Sequence, residues 1–174
     1  GVGFGALSRS YAKEQRDASR ALLRSARLAD RLFRRLLPWL EPADLADVRP
    51  VGVAADDAAG PWKPCGVNEV LRVTRYEQGG HFAPHYDGAF VRSREERSIF
   101  TLMLFLNEGF AGGATRFYRD GAEGGGGAAV AERAPAAGTA LVFNHDVLHA
   151  GETVGDGRKY ILRTDLVFRR IRGR

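Results

Sequence analysis

The stretch Lys159-Tyr-Ile-Leu-Arg-Thr-Asp-Leu-Val-Phe168 shows the period-two alternation that decides the fold class. Because successive side chains of a β-strand point to opposite faces, this alternation predicts a long strand. Six further runs are predicted as strands and are separated by glycine-rich turn signals, at residues 70–76, 101–106, 115–118, 128–133, 139–143 and 147–152. Short strands with regular turns are typical of an all-β sandwich or barrel.

The segment before these strands has a helical pattern. Apolar residues recur at three- and four-residue spacing from Leu22 to Leu40, and arginines follow the same period on another face. This arrangement predicts an amphipathic helix over residues 10–37 that ends near Pro38.

The stretch between the helical pattern and the strands, residues 41–66, is rich in Pro, Ala, Asp and Gly. It predicts a connecting loop with a short strand or turn. We therefore expect residues 1–66 to supply an amphipathic helix and a loop, and residues 67–170 to form the β core. Together they should make one compact domain of mainly β (α+β) class.

Length and composition exclude several classes of protein. The 174 residues suffice for one domain with a buried core, and no apolar run approaches the roughly 18 residues of a membrane-spanning helix. A single cysteine, Cys65, excludes an internal disulfide framework and multi-cysteine metal sites. No secretory signal is visible, so we expect a cytoplasmic location. Since the chain begins at Gly1 rather than methionine, we expect a fragment or processed form.

The formal net charge of +5 arises in one segment of the chain. Residues 8–37 contain nine basic and three acidic side chains, whereas the remainder has 17 basic and 18 acidic ones. A local charge of this kind is typical of a solvated helix face. The arginines are not interleaved with aromatic residues, so we expect no nucleic-acid partner.

The motif His85-Tyr86-Asp87 contains candidate metal ligands. Residues two apart on an extended chain point the same way, so the His85 imidazole and the Asp87 carboxylate can converge. His149 is a third candidate, 62 residues after Asp87. Two imidazoles and one carboxylate form the facial triad of non-haem Fe(II) oxygenases, and we therefore expect an iron site here.

The other two histidines, His81 and His145, lie four residues before His85 and His149. This spacing occurs in zinc-binding pairs on helices, but Pro84 and the strand-like flanks argue against a helix. We expect His145 to support the site or lie in a turn, and His81 to lie in a loop near the pocket mouth.

A scarce lysine follows the third candidate ligand. Lys159, one of 3 lysines against 23 arginines, lies ten residues after His149 at the head of the last long strand. A cation there suits the distal carboxylate of 2-oxoglutarate, whose keto-acid end chelates iron. Arg163 has the same strand parity and is the alternative anchor, because its guanidinium binds carboxylates in bidentate fashion.

The run from Asn68 to Arg169 resembles the Fe(II)/2-oxoglutarate-dependent dioxygenases of the prolyl 4-hydroxylase type. The matching pieces occur in the same order: Arg75-Tyr76 with Gly79, residues 82–87, 101–107, 112–117 and 138–143, His149, and Arg158-Lys-Tyr160. The resemblance implies a double-stranded β-helix, the jelly roll or cupin-like barrel, buttressed by N-terminal helices.

The resemblance also implies roles for individual residues. His85, Asp87 and His149 would hold Fe(II), and Lys159 would bind 2-oxoglutarate. Tyr76 would line the pocket for the cosubstrate or substrate. The pocket wall would include Met103, and the charged segment 91–97 suits a loop closing over substrate through Arg92, Arg94 and Arg97.

The implied activity is hydroxylation of a C–H bond with consumption of O2 and 2-oxoglutarate and release of succinate and CO2. The expected substrate is peptidyl or a small molecule. Peptidyl proline leads, with free amino acids or other protein side chains behind it, and L-ascorbate is the expected reductant. Two alternatives remain open. One is a cupin-like metal-dependent oxygenase without 2-oxoglutarate, and the other is a non-catalytic binding module with a basic helix.

Overall fold

The computed structural model describes residues 12–43, 45–119, 129–133 and 136–171. Residues 10–11 of the predicted helix and residue 128 of a predicted strand lie outside these ranges. The helices are α1 (Ala26–Leu40) and α2 (Ala55–Ala58). The strands are β1 (Arg16–Asp17), β2 (Ser19–Arg24), β3 (Trp62–Val67), β4 (Val70–Tyr76), β5 (His81–His85), β6 (Val91–Ser93), β7 (Glu96–Phe105), β8 (Ala111–Gly112), β9 (Thr115–Tyr118), β10 (Ala129–Arg133), β11 (Ala140–Asn144), β12 (His149–Gly151), β13 (Val154–Asp156) and β14 (Lys159–Arg170).

Two antiparallel sheets form the core of the fold. The larger sheet has the order β11-β7-β14-β4-β2, with β3 paired to β14 and β6 paired to β7. The smaller sheet has the order β1-β5-β12-β9-β10, and β13 pairs separately with β8. Each run predicted as a strand overlaps a strand of the structure, so the mainly β prediction is confirmed.

Strand β14 is central to the larger sheet, since it pairs with β7 on one side and with β4 and β3 on the other. Both of its faces are buried, because Leu166 and Phe168 join one apolar cluster and Ile161 joins another. The long alternating run of the sequence is therefore a strand that packs against neighbours on both faces.

The N-terminal segment differs from the prediction. The helix expected over residues 10–37 is wrong for residues 12–25, of which 16–17 form β1 and 19–24 form β2. Strand β2 pairs with β4 along its whole length, and α1 starts only at Ala26 and continues through Pro38. Arginines four residues apart share a face on a helix and equally on a strand, so their spacing could not discriminate between the two.

Helix α1 covers the outer face of the larger sheet. The hydroxyl of Ser25 accepts a hydrogen bond from the backbone N–H of Leu28 at 3.2 Å and caps the helix. Ala29 packs with residues of β3, β7 and β14 in one buried cluster. The cluster on the opposite face of the sheet contains Tyr76 and Met103, and it looks towards the smaller sheet.

Strand β2 and all but the last residue of β3 lie before residue 67, yet both strands belong to the larger sheet. The division of the chain at residues 66 and 67 remains a prediction. Within the described ranges, neither helix has the length and apolar character needed to cross a membrane.

The buried cluster beneath α1 yields a stability prediction. Leu102 is 0% exposed in β7, so Leu102→Ala should lower the free energy of unfolding by about 2–5 kcal/mol through lost burial and a residual cavity. Leu106→Ala is the matched control, because Leu106 is 46% exposed and should change stability by only about 0.5 kcal/mol. Urea denaturation measures both, and equal losses would contradict this account of the core.

Candidate metal centre

Three potential ligands meet between the two sheets. His85 is the last residue of β5, Asp87 lies two residues after it, and His149 is the first residue of β12. The pairing of β12 with β5 places His149 opposite His85. One ligand atom from each of the three residues lies within 4.8 Å of the other two. The structure thus brings together the three residues singled out from the sequence.

Backbone hydrogen bonds orient both imidazoles in the same way. His85 Nδ1 lies 2.9 Å from the carbonyl of Ala83, and His149 Nδ1 lies 2.9 Å from the carbonyl of Val147. A carbonyl can only accept, so each Nδ1 carries the proton and each Nε2 keeps its lone pair. These Nε2 atoms lie 3.8 and 3.6 Å from the carboxylate oxygens of Asp87.

Burial keeps the two imidazoles neutral. It lowers the pKa of His85 to about 4, and the neighbouring His149 contributes in the same direction. Burial likewise lowers the pKa of His149. A neutral imidazole is the form that binds a metal, so both rings are prepared as ligands at neutral pH.

Asp87 is ionised despite its burial. Burial acts to raise its pKa, but the Arg163 guanidinium and a hydrogen bond from Thr101 act in the opposite direction, and the pKa lies below its ordinary value. Arg163 Nη2 lies 2.8 Å from Asp87 Oδ1, and the Thr101 hydroxyl lies 2.5 Å from Oδ2. The centre therefore offers two neutral nitrogens and one carboxylate, a donor set that suits Fe(II).

His145 holds Asp87 in place from outside the ligand set. Its carbonyl accepts the backbone N–H of Asp87 at 3.1 Å, and its Nδ1 lies 3.0 Å from Thr101 Oγ1. Since the single hydroxyl proton of Thr101 goes to Asp87, His145 Nδ1 must donate, and Nε2 accepts from the Ser98 hydroxyl at 2.8 Å. Burial lowers the pKa of His145, in agreement with a neutral ring. His145 occupies the supporting position expected from the sequence.

His81 lies away from the ligands, in β5. Its two ring nitrogens lie 3.2 and 3.0 Å from the carbonyls of Gly79 and Glu14. It does not line the cavity beside the ligands.

Lys159 lies in the wall of that cavity and is only 3% exposed. Its Nζ donates to the carbonyl of Gly113 and lies 5.3 and 5.5 Å from the ring centroids of Tyr76 and Phe105. In the described part of the chain, no carboxylate lies within ion-pair distance of this ammonium. Burial lowers the pKa of Lys159 to about 8, against a weaker opposing effect of Glu152.

The Gly113 backbone fits closely around the lysine. Its φ of +68° is in the region that favours glycine, and a Cβ at this position would lie 3.2 Å from Lys159 Cδ. Gly113 therefore leaves room for the lysine side chain.

Arg163, the alternative anchor, also lines the cavity but is already paired. It contacts Asp87 at 2.8 Å and Asp165 at 3.5 Å. Tyr76 and Met103 line the cavity as well, and burial raises the pKa of the Tyr76 hydroxyl. All four residues expected to bind cosubstrate thus face the same space.

The three arginines expected in a substrate loop do not reach this cavity. Arg92 pairs with Glu96 and Glu69, and Arg94 pairs with Asp57. Arg97 is buried with its guanidinium 5.9 Å from the centroid of a Trp62 ring. Segment 91–97 forms part of a β-hairpin, in which β6 pairs with β7. The role of these arginines towards substrate remains a prediction.

Three other arginines line the cavity without having been singled out from the sequence: Arg16, Arg20 and Arg72. The first two were assigned to the exposed face of a helix, and their position depends on the strand conformation of residues 16–24. Arg72 lies four residues before Tyr76 on β4, so both side chains point to the same face of the strand. This spacing could have predicted from the sequence that Arg72 faces the cavity.

Solved structures of prolyl hydroxylases share this fold. The viral collagen prolyl hydroxylase of Paramecium bursaria Chlorella virus-1 is 19% identical, with 89% of this chain and 80% of that chain covered and a TM-score of 0.54. A Pseudomonas putida prolyl-4-hydroxylase is 18% identical, with 94% of this chain and 77% of that chain covered and a TM-score of 0.54. A Trichoplax adhaerens prolyl hydroxylase was solved with a hypoxia-inducible-factor peptide. It is 15% identical, with 95% of this chain and 70% of that chain covered and a TM-score of 0.59. These similarities confirm the jelly-roll fold.

A match to a family model identifies the family of this chain, although no individual curated protein sequence matches it. The family model of the 2OG-Fe(II) oxygenase superfamily matches residues 71–164, which is more than half of the chain and includes the three metal ligand candidates and Lys159. Membership of this superfamily implies Fe(II) and 2-oxoglutarate as cofactor and cosubstrate. The chain belongs to the 2OG-Fe(II) oxygenase superfamily.

Proposed function

We propose that this protein is a dioxygenase that hydroxylates a C–H bond and in which His85, Asp87 and His149 bind Fe(II). One observation carries the proposal, namely three ligand atoms within 4.8 Å of one another in a cavity. The donor set fits the metal, because both imidazoles are neutral with Nε2 unprotonated and the carboxylate is ionised.

Fe(II) and 2-oxoglutarate, when bound, supply the O2 activation that leads to a hydroxylated substrate, succinate and CO2. The protein holds the ligands and shields the site. Phe82 stacks on His85 with ring centroids 3.5 Å apart, and Phe143 meets His149 edge-on at 4.7 Å. These rings restrict the imidazoles to one orientation and exclude water from one side of each ligand.

Lys159 is the proposed anchor for the distal carboxylate of 2-oxoglutarate. A buried ammonium without a carboxylate partner is costly, and a bound carboxylate would compensate for its burial. Arg163 is a weaker candidate because it already contacts Asp87 and Asp165. Removing Arg163 from Asp87 would also disturb a metal ligand.

The proposed substrate is a proline of a peptide or protein, hydroxylated as prolyl 4-hydroxylases do, with ascorbate as reductant. The support is the fold shared with the three prolyl hydroxylases, one of which was solved with a peptide. Succinate release that depends on both iron and a proline peptide would test this substrate. Oxygen consumption without succinate would favour a cupin-like oxygenase instead.

His149→Ala should remove one of the two imidazole ligands while leaving the fold intact. We expect loss of measurable succinate release and a large loss of affinity for Fe(II) or Mn(II), because a two-ligand site binds metal poorly. Succinate release and metal titration are the measurements. His81→Ala is the matched control, since His81 is outside the cavity, and unchanged succinate release in His149→Ala would refute the assignment.

Lys159→Ala should raise the apparent KM for 2-oxoglutarate at least about tenfold, since an ion pair to the distal carboxylate is lost. The wild-type KM should rise about tenfold between pH 7 and pH 9, because Lys159 has a pKa of about 8 and loses its charge over this range. Lys159→Arg keeps its charge and should remove the pH dependence. An unaltered affinity in Lys159→Ala would transfer the role to Arg163.

Thr101→Val should weaken metal binding about 10–100-fold, because it removes the hydroxyl that donates to Asp87 and accepts from His145. Thr74→Val is the matched control, since Thr74 is another buried cavity threonine and bonds to Arg16 instead. Mn(II) titration with thermal melting compares the two variants. Equal metal affinities in both variants would show that Thr101 does not position the carboxylate.

A further inference from the structure

We propose that the substrate carries an oxyanion, either a carboxylate or a phosphate, which the arginines of the cavity bind close to the carbon that is hydroxylated. The inference rests on the proposed function for the place of the metal and of 2-oxoglutarate. It goes further in assigning a charge to the substrate.

Positive charge dominates the cavity. Five cationic side chains line it, namely Arg16, Arg20, Arg72, Lys159 and Arg163, whereas Asp87 is the one carboxylate among the lining residues that the structure describes. Asp165 adds a second carboxylate behind Arg72 and Arg163, so these seven side chains together carry an excess of three positive charges. Fe(II) and the 2-oxoglutarate dianion cancel one another and leave that excess unchanged.

Three of the arginines form a path across neighbouring strands of the larger sheet. Arg163 of β14 is the register partner of Arg72 on β4, and both are within ion-pair distance of Asp165. Arg20 on β2, the next strand outward, is the partner of Thr74. The path leads from the metal ligand Asp87, which Arg163 contacts, to the edge of the sheet.

Arg16 approaches the cavity from the other sheet. Its Cζ lies 4.5 Å from the Phe82 ring centroid, and its Nη2 lies 3.4 Å from Thr74 Oγ1. Its Nε is buried and has no hydrogen-bond partner among the described residues. Strands β1 and β2 are edge strands of the two sheets and are separated by Ala18, so one short segment places Arg16 and Arg20 on the cavity together.

This arrangement has a chemical preference. Like charges gathered in a cleft repel one another and concentrate a positive potential there, which a bound anion relieves. The guanidinium group presents its N–H donors in a fork that matches the oxygens of a carboxylate or a phosphate. Lys159 is the proposed partner of 2-oxoglutarate, so the arginines nearer the edge are the candidates for binding the substrate. An anionic group on the substrate would reduce the repulsion among the cationic side chains of the cavity.

Binding of inorganic phosphate and of acetate tests the proposal without requiring turnover. The full chain is loaded with Mn(II) and saturated with 2-oxoglutarate, which occupies Lys159, and each anion is titrated by calorimetry and by NMR line broadening. We expect Arg16→Gln/Arg20→Gln to bind the preferred anion at least about tenfold more weakly, since two charge-assisted contacts are lost. Line broadening by Mn(II) should show that the anion lies close to the metal.

Arg24→Gln/Arg27→Gln is the matched control. It removes the same net charge from the same segment, but neither arginine lines the cavity. Its anion affinity should stay within about twofold of the wild type, because a surface charge outside the site acts only at long range. If the double variant Arg16→Gln/Arg20→Gln does not fold, the anion titration is repeated with Arg20→Gln alone, and a thermal melt verifies that this variant is folded. Equal affinities in wild type and cavity variants would overturn the proposal.

Turnover provides the second arm. Proline peptides that differ only in one flanking residue, glutamate, phosphoserine, glutamine or lysine, are compared by succinate release. Faster release with glutamate or phosphoserine than with glutamine, lost in Arg20→Gln, would support the proposal and identify the oxyanion. Substrate-dependent release that is equal for all four peptides would contradict it. Absence of iron- and 2-oxoglutarate-dependent succinate release with any substrate would instead refute the proposed function, and the anion titration would still decide the present proposal.

Discussion

The antiparallel pairing of β12 with β5 is the constraint on which the site depends. It places His149 opposite His85, although the two residues lie far apart along the chain. Asp87 is held close to the start of β12, because its backbone N–H donates to the carbonyl of His145, four residues before His149. A shift of this register by one residue would turn His149 to the opposite face of the sheet and abolish the cluster.

The charged side chains of the cavity differ in whether an opposite charge lies beside them. Asp87 stays ionised because the Arg163 guanidinium and the hydroxyl of Thr101 support its carboxylate, and His145 in turn hydrogen-bonds to Thr101. Lys159 is buried beside a carbonyl and two rings, without a carboxylate at ion-pair distance among the described residues. The site therefore supplies its own counter-charge to Asp87, the proposed metal ligand, and it keeps positive charge at the proposed positions of 2-oxoglutarate and of an anionic substrate group.

The β core could be predicted from local sequence because its strands combine alternation with strong turn signals. Strand β14 is an example, since its period-two pattern matches a strand buried on both faces. The N-terminal segment could not be predicted in the same way. Arginines four apart satisfy both a helix and a strand, and hydrogen bonding of β2 to β4 settled the conformation of residues 19–24. Tertiary pairing decided between two locally acceptable structures.

The sequence alone determined which residues could act: a histidine and a carboxylate two apart, a distant third ligand, and a lysine ten residues after it. Those inferences needed only strand geometry and the chemistry of Fe(II) ligands. Tertiary structure decided that Arg163 contacts Asp87 rather than standing unpaired as an anchor, and that Arg16 and Arg20 face the cavity. It also left Arg92, Arg94 and Arg97 outside that cavity. The reason is physical, because the direction of a charged side chain follows from the partners across the sheet, and those partners are distant in the chain.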